Sequence, residues 1–176
     1  MSRIPDFKTY IGESAWGDMM RRSSGEMVRR EDILKDIYDK IISKYQICYV
    51  NIADKIEYDT DYIHIPMFKI INMGTYLSIG IKEEHITFSS ISPNKYKTRS
   101  EKSLVSGVKD DLLNLYDKIE SKYSPEISEH NGIDHWVVFK AYPNNGISYK
   151  FCEEFIDFIL DNTPDNKNIL KILERK

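Results

Sequence analysis

Cysteine, glycine and alanine are all scarce in this chain: two, eight and three residues among 176. Cys48 and Cys152 stand far apart in apolar surroundings, ICYVNI and FCEEF, a usage that fits a reducing compartment and sets up no disulfide framework. No glycines fall into G-x-G-x-x-G or G-x-x-x-x-G-K-S/T, so a phosphate-cradling loop and the mononucleotide fold built on it are not expected. No run approaches the roughly 18 apolar residues that a membrane helix needs. The opening MSRIPDFKTY has no hydrophobic leader, so neither export nor a membrane span is expected, and the cytoplasm is the expected location. Excess charge of one sign is missing too. With 25 basic and 28 acidic residues the net charge is −3, which gives no global attraction to nucleic acid or acidic lipid.

What is present is ordinary for a globular protein: 41% hydrophobic and 30% charged residues, in a length that suits one core. The 25 isoleucines, against so little alanine, mark AT-rich codons and suggest a low-GC bacterial or phage genome.

Hydrophobic spacing divides the chain. From Glu31 to Tyr45, residues Ile33, Leu34, Ile37, Tyr38, Ile41 and Ile42 recur at helical spacing behind Asp32 as N-cap. Period-two segments follow at Gln46–Ala53, Tyr62–Ile71, Leu77–Ile81 and His85–Ile91, the last three joined by turns as an antiparallel meander. Pro66 removes a ladder donor and predicts an edge position or a bulge. Thr98 and Glu101 match a capping box, opening a helix that carries Leu104, Val105, Val108, Leu112, Leu115, Tyr116, Ile119 and Tyr123 on one face. His135–Tyr142 is nearly continuously apolar and predicts a central strand. Ser148 can cap a helix with Phe151, Cys152, Phe155, Ile159 and Leu160 inward. Thr163-Pro164-Asp165 reads as the start of a final short helix using Ile169, Leu170, Ile172 and Leu173.

The expected architecture is α+β: a mainly antiparallel sheet of about five strands with helices packed on one face, in the order α-β-β-β-β-α-β-α-α. An irregular arm, residues 1–30, precedes this single domain of residues 31–176.

No constellation stands out as catalytic, and no cofactor or metal site is expected. His64 and His85 could approach across the meander, and His130 and His135 flank a loop, but this spacing fixes no common face. Cys152 with His135 is the one conceivable nucleophile pair for a small hydrolase or nuclease, yet Cys152 lies on an apolar stripe where burial blunts a thiolate. The pairs Glu83-Glu84, Asp110-Asp111 and Glu153-Glu154 read as solvated faces. One basic segment, Lys95, Tyr96, Lys97, Arg99 and Lys102, places four cations around a ring and offers a backbone-and-stacking contact for single-stranded nucleic acid. Glu101, Asp110 and Asp111 follow closely and weigh against it.

The arm is the most distinctive stretch. Residues 1–30 carry Arg3, Lys8, Arg21, Arg22, Arg29 and Arg30 together with Trp16, Met19, Met20 and scattered apolar residues that form no single stripe. The bland account has Trp16 and the methionines covering the domain while the arginines stay wet. The docking account makes Trp16 an anchor, Arg21 and Arg22 forked donors to carboxylates or phosphates, and Met19 and Met20 adaptable packing, with Asp18, Arg29 and Arg30 completing the surface. Tryptophan and arginine dominate binding hot spots because they bury large area or donate in fixed geometry. Paired arginines flanking Ser-Ser-Gly favour docking, since a mere cover has no need of them.

The series Glu13-Ser14-Ala15-Trp16-Gly17-Asp18, Arg21-Arg22-Ser23, Gly25 and Arg29-Arg30-Glu31-Asp32 resembles an N-terminal segment of uncharacterised proteins from gut-type bacteria and their phages. That resemblance covers about the first fifth of the chain. It implies a shared address or docking tag, as on virion components, and carries no catalytic residue. The sequence therefore leads to the expectation of a non-catalytic protein of phage or mobile-element type, in host cytoplasm or virion, that binds a partner protein or assembly through residues 10–32.

Overall fold

Leu34, Ile37 and Ile41 recur every three or four residues, and burying them turns residues 32–44 into a helix (α1) pressed on the core, with each of the three at most 2% exposed. The flanking Ile33 and Ile42 stay exposed, so the buried stripe is narrower than the sequence suggested. Asp32, expected as the N-cap, is already helical; an acid in the first turn still favours the dipole. The computed structural model describes residues 32–49, 51, 54–71, 75–91, 99–123, 127–131 and 138–176. The arm and residues 92–98 and 132–137 lie outside that set.

After α1 come β1 (Tyr45–Ile47), β2 (Glu57–Asp59), β3 (Tyr62–Ile70), β4 (Thr75–Ile81) and β5 (Ile86–Ile91). The helix α2 (Arg99–Tyr123), β6 (Ile127–Asn131), β7 (Val138–Ala141), the helix α3 (Tyr149–Asn162), β8 (Ile169–Lys171) and β9 (Leu173–Arg175) complete the chain. The main sheet runs β2-β3-β4-β5-β7-β6, with β8 also on β3, and β1 pairs β9 as a separate ribbon. Every pairing among the described strands is antiparallel. The molecule is α+β, with three helices packed on the sheet, and the meander β3-β4-β5 and the interior place of β7 are as the periodicity predicted.

Alternation decides what each strand buries. Ile63 and Ile65 in β3, Leu77, Ile79 and Ile81 in β4, and Ile86 and Phe88 in β5 meet Val108, Leu115 and Ile119 of α2 and Cys152, Phe155, Ile156 and Ile159 of α3 in one core. Pro66 falls at a bulge, where the register shifts between Pro66 and Phe68. On the far side of β3, β2 covers residues up to His64 and β8 begins at Phe68, so the proline sits in the gap between two short partners. At Gly80 a Cβ would lie 2.6 Å from Thr87 Oγ1, whose hydroxyl donates to the Gly80 carbonyl at 3.2 Å, so a larger residue there would displace that hydroxyl and its hydrogen bond.

Ser148 caps α3 as its position predicted, its Oγ accepting from the Phe151 amide at 3.3 Å. Because that bond is long, Ser148→Ala is expected to cost only about 0.5–1 kcal/mol, read as a small fall in the urea midpoint.

Three segments depart from the sequence reading. The final helix is absent: Ile169–Lys171 and Leu173–Arg175 are strands. Thr163 ends α3 instead of starting a helix, its hydroxyl donating to the Ile159 carbonyl at 2.6 Å, and Pro164 stops the helix just beyond. Asn166 then turns the chain, its side chain accepting from the Asn168 amide at 2.8 Å. The segment beyond it is short for a helix, whereas β3 and β1 offer ladder groups that need partners. For the same reason β1 spans only Tyr45–Ile47, the reach of its partner β9. Two short polar strands, β2 and β6, add to the expected five because they carry almost no apolar alternation. Among the described residues no helix is long and apolar enough to cross a membrane.

Candidate functional site

The β1–β9 ribbon lies against α3, and charge gathers at the junction. Glu153, Asp157 and Asp161 are spaced four apart on α3 and form one acidic stripe. Strand pairing sets Arg175 of β9 opposite Tyr45 of β1, directly after Lys44 at the end of α1. Lys44 Nζ bridges Glu153 Oε1 and Asp157 Oδ2, both at 2.8 Å. The Tyr45 hydroxyl donates to Asp157 Oδ1 at 2.7 Å, and Arg175 Nε donates to the same oxygen at 2.9 Å. Arg175 Nη1 reaches Asp161 Oδ1 at 2.8 Å, while the Tyr149 hydroxyl donates to Glu153 Oε1 at 2.8 Å.

The electrostatics follow from this wiring. The Lys44 and Tyr149 donors hold the Glu153 carboxyl below its ordinary range. Burial opposes the charge on Asp157, but hydrogen bonds from Lys44, Tyr45 and Arg175 outweigh it and keep that carboxyl low as well. Arg175 does the same for Asp161. Burial and then the Asp157 carboxylate push the Tyr45 hydroxyl far up, and burial with Glu153 raises Tyr149 to about 12. Every charge here meets an opposite one, and no phenol is poised to ionise near neutrality. The arrangement is a clasp that ties both chain segments of the ribbon to α3.

Beside the clasp, with Tyr45 in its lining, is a hollow of about 390 Å³ between β1 and the turn before β2. Ile47, Tyr49, Asp54 and Ile56 line it, with Lys55 and Lys176. Asp54 is 4% exposed, and its Oδ1 meets no hydrogen-bond donor. Its amide donates to the Asn51 carbonyl at 2.9 Å, closing the turn that carries it. Tyr49, by contrast, is 49% exposed.

The residues singled out from sequence distribute as follows. Trp16, Asp18, Met19, Met20, Arg21, Arg22, Arg29 and Arg30 lie outside the described residues, as do Lys95, Tyr96, Lys97 and His135. Arg99 and Lys102 fall in the first turns of α2. His64 sits in β3 opposite Gly80, and burial lowers its pKa; His85 meets the Tyr142 ring at a tilt, with centroids 4.9 Å apart. Among the described residues no group of three His, Cys, Asp or Glu could hold a metal ion. Cys152 is fully buried, with its thiol pushed up to about 12, and burial raises Cys48 to about 11, so neither thiol is poised as a nucleophile. Glu153 is a correction: read as a solvated face, it is pinned by Lys44 and Tyr149.

The clasp had a visible half in sequence, the four-residue acid spacing on α3. Its cations have no such signal: Lys44 ends α1 and Arg175 lies in β9, and only strand pairing brings both to α3. Asp54 had no such signal, since an acid in NIADKIEYD looks like any surface acid until the turn buries it. Compared with known proteins, the chain matches no family model, no curated protein and no solved structure.

Proposed function

We propose that this chain works by docking: a non-catalytic phage- or mobile-element protein that engages a partner protein or assembly through residues 10–32. The observation that carries the reading is the run of Trp16, Met19, Met20, Arg21 and Arg22, followed by Arg29 and Arg30, immediately ahead of α1. Two features support it. The arm joins the domain at α1, whose Leu34, Ile37 and Ile41 are locked in the core, so a bound partner would be held against a fixed base. Ile33, 45% exposed at that root, extends the apolar character of the arm onto the helix. A docking tag is also what the resemblance of residues 13–32 to an N-terminal segment of uncharacterised gut-bacterial and phage proteins implies.

The test uses the full chain, a chain lacking residues 1–30, and Trp16→Ala as baits in host extract. A partner held by the full chain and lost from both variants, with melting curves unchanged, is the expected outcome. Equal recovery on the truncated chain overturns the reading. Recovery that survives truncation and falls steeply with salt would transfer the function to nucleic acid on Lys95, Tyr96, Lys97, Arg99 and Lys102, since about six phosphate contacts give a strong inverse salt dependence.

A further inference from the structure

Asp54 is the one described acidic side chain that the fold buries and leaves with an unsatisfied oxygen. A carboxyl oxygen buried without a donor works against folding, so Asp54 Oδ1 calls for a reason outside the resting structure. The surroundings supply no answer: Lys69 feels the Asp54 charge, but its Nζ lies over the Tyr76 ring at 5.2 Å. What adjoins Asp54 is space, about 390 Å³, within the range of small-ligand pockets.

The lining specifies the complement. The oxygen Asp54 Oδ1 needs a donor, and a protonated nitrogen satisfies it best because it also neutralises the charge. Ile47 and Ile56 offer an apolar wall, and Tyr49 presents an open ring that accepts either an apolar body or a cation. Lys55 and Lys176 also line the hollow, Lys176 with its Nζ donating to the Ile42 carbonyl; their charges oppose a ligand of net positive charge and favour one that carries an anion as well. One acid, two lysines and an apolar wall together match a zwitterion with a hydrophobic body.

We propose that the hollow between β1 and β2 binds a small zwitterion of the amino-acid class with an apolar or aromatic side chain, its ammonium group held by Asp54 and its carboxylate facing Lys55 and Lys176. The site belongs to the folded domain and is independent of the docking arm, so it survives deletion of residues 1–30 and the two readings fail separately.

The experiment titrates the isotope-labelled full chain with L-phenylalanine, L-leucine, phenethylamine and phenylacetate, following amide shifts. Saturable shifts around residues 45–56 are expected with an amino acid and not with phenylacetate. Asp54→Asn should weaken amino-acid binding about tenfold or more, the loss that goes with one charge-assisted hydrogen bond. Its melting temperature should hold or rise, because a carboxylate retained for binding is not retained for stability. Lys55→Ala with Lys176→Ala should weaken amino-acid binding and strengthen phenethylamine binding, since the repulsion of the cation is then removed. The proposal is overturned if neither amino acid gives saturable shifts, if phenylacetate binds as well as they do, or if Asp54→Asn lowers the melting temperature without touching affinity. Should that variant not fold, Tyr49→Ala, at an exposed position, decides: undiminished amino-acid binding overturns the site.

Discussion

Replacing Phe155 by alanine is expected to cost about 3–5 kcal/mol, the usual toll for emptying a phenylalanine site in a close-packed core. Phe155 is fully buried, and its ring lies 5.0 Å from that of Tyr123 and 6.3 Å from that of Phe151. Tyr123 in turn meets Phe151 and Phe158 edge-on at 5.9 and 5.8 Å, so three rings of α3 close around the last residue of α2. Removing the central ring leaves a space that rings held on two helices cannot collapse into without moving the helices. Against a domain stability of about 5–15 kcal/mol this is a large fraction. Urea unfolding should show a lower midpoint with an unchanged slope. Phe155→Leu should recover most of the loss, and Phe151→Ala, at a half-buried position, should cost clearly less. Equal costs for Phe151→Ala and Phe155→Ala would mean that the deeper burial of the Phe155 ring does not set the loss.

That cluster was legible before any coordinates, because a helix that buries one stripe must repeat apolar residues every three or four positions. Val108, Leu112, Leu115, Ile119 and Tyr123, and likewise Cys152, Phe155 and Ile159, declare α2 and α3 this way. The meander was equally open, since Leu77, Ile79 and Ile81 alternate with Ser78 and Gly80. The carboxy-terminal ILKIL was not. Four apolar residues among five fit a helix face or a strand equally, and the choice fell to distant partners, β3 and Tyr45–Ile47. Strand β6, ISEHN, has no period to read; β7 gives it a ladder.

The candidate sites divide along the same line. The arm could be recognised by composition alone, because tryptophan and arginine pairs are unusual wherever they stand. Asp54 could not, since burial is a property of the turn and its neighbours, not of the residue. The clasp lies between these cases: its acids are periodic and local, and its cations arrive from segments joined only by folding.

The clasp also sets the response of this domain to acid, and Asp157 is its centre. Asp157→Ala removes the acceptor of Lys44, Tyr45 and Arg175 together. Tyr45, 1% exposed, then keeps only a long contact of 3.5 Å to the Glu153 carbonyl. A buried hydroxyl so abandoned, with Lys44 and Arg175 each reduced to a single carboxylate partner (Glu153 and Asp161), is expected to cost about 2–3 kcal/mol at neutral pH. The cost stays at that level because the Asp157 side chain is 25% exposed and solvent screens part of its charge. Asp157→Asn keeps an acceptor for Tyr45 and should lose less. The pH profile separates charge from shape. Glu153, Asp157 and Asp161 all titrate below their ordinary values in the folded chain, so below about pH 5 the unfolded state takes up protons first. Their contribution is therefore complete at neutral pH and drains away as pH falls through the folded values. The wild-type urea midpoint should drop steeply across the acid range, and Asp157→Asn should flatten that slope while lowering the neutral plateau. Parallel profiles for the two proteins would mean that Asp157 holds the ribbon by shape and hydrogen bonding alone, with its charge contributing nothing to the tie between β9 and α3.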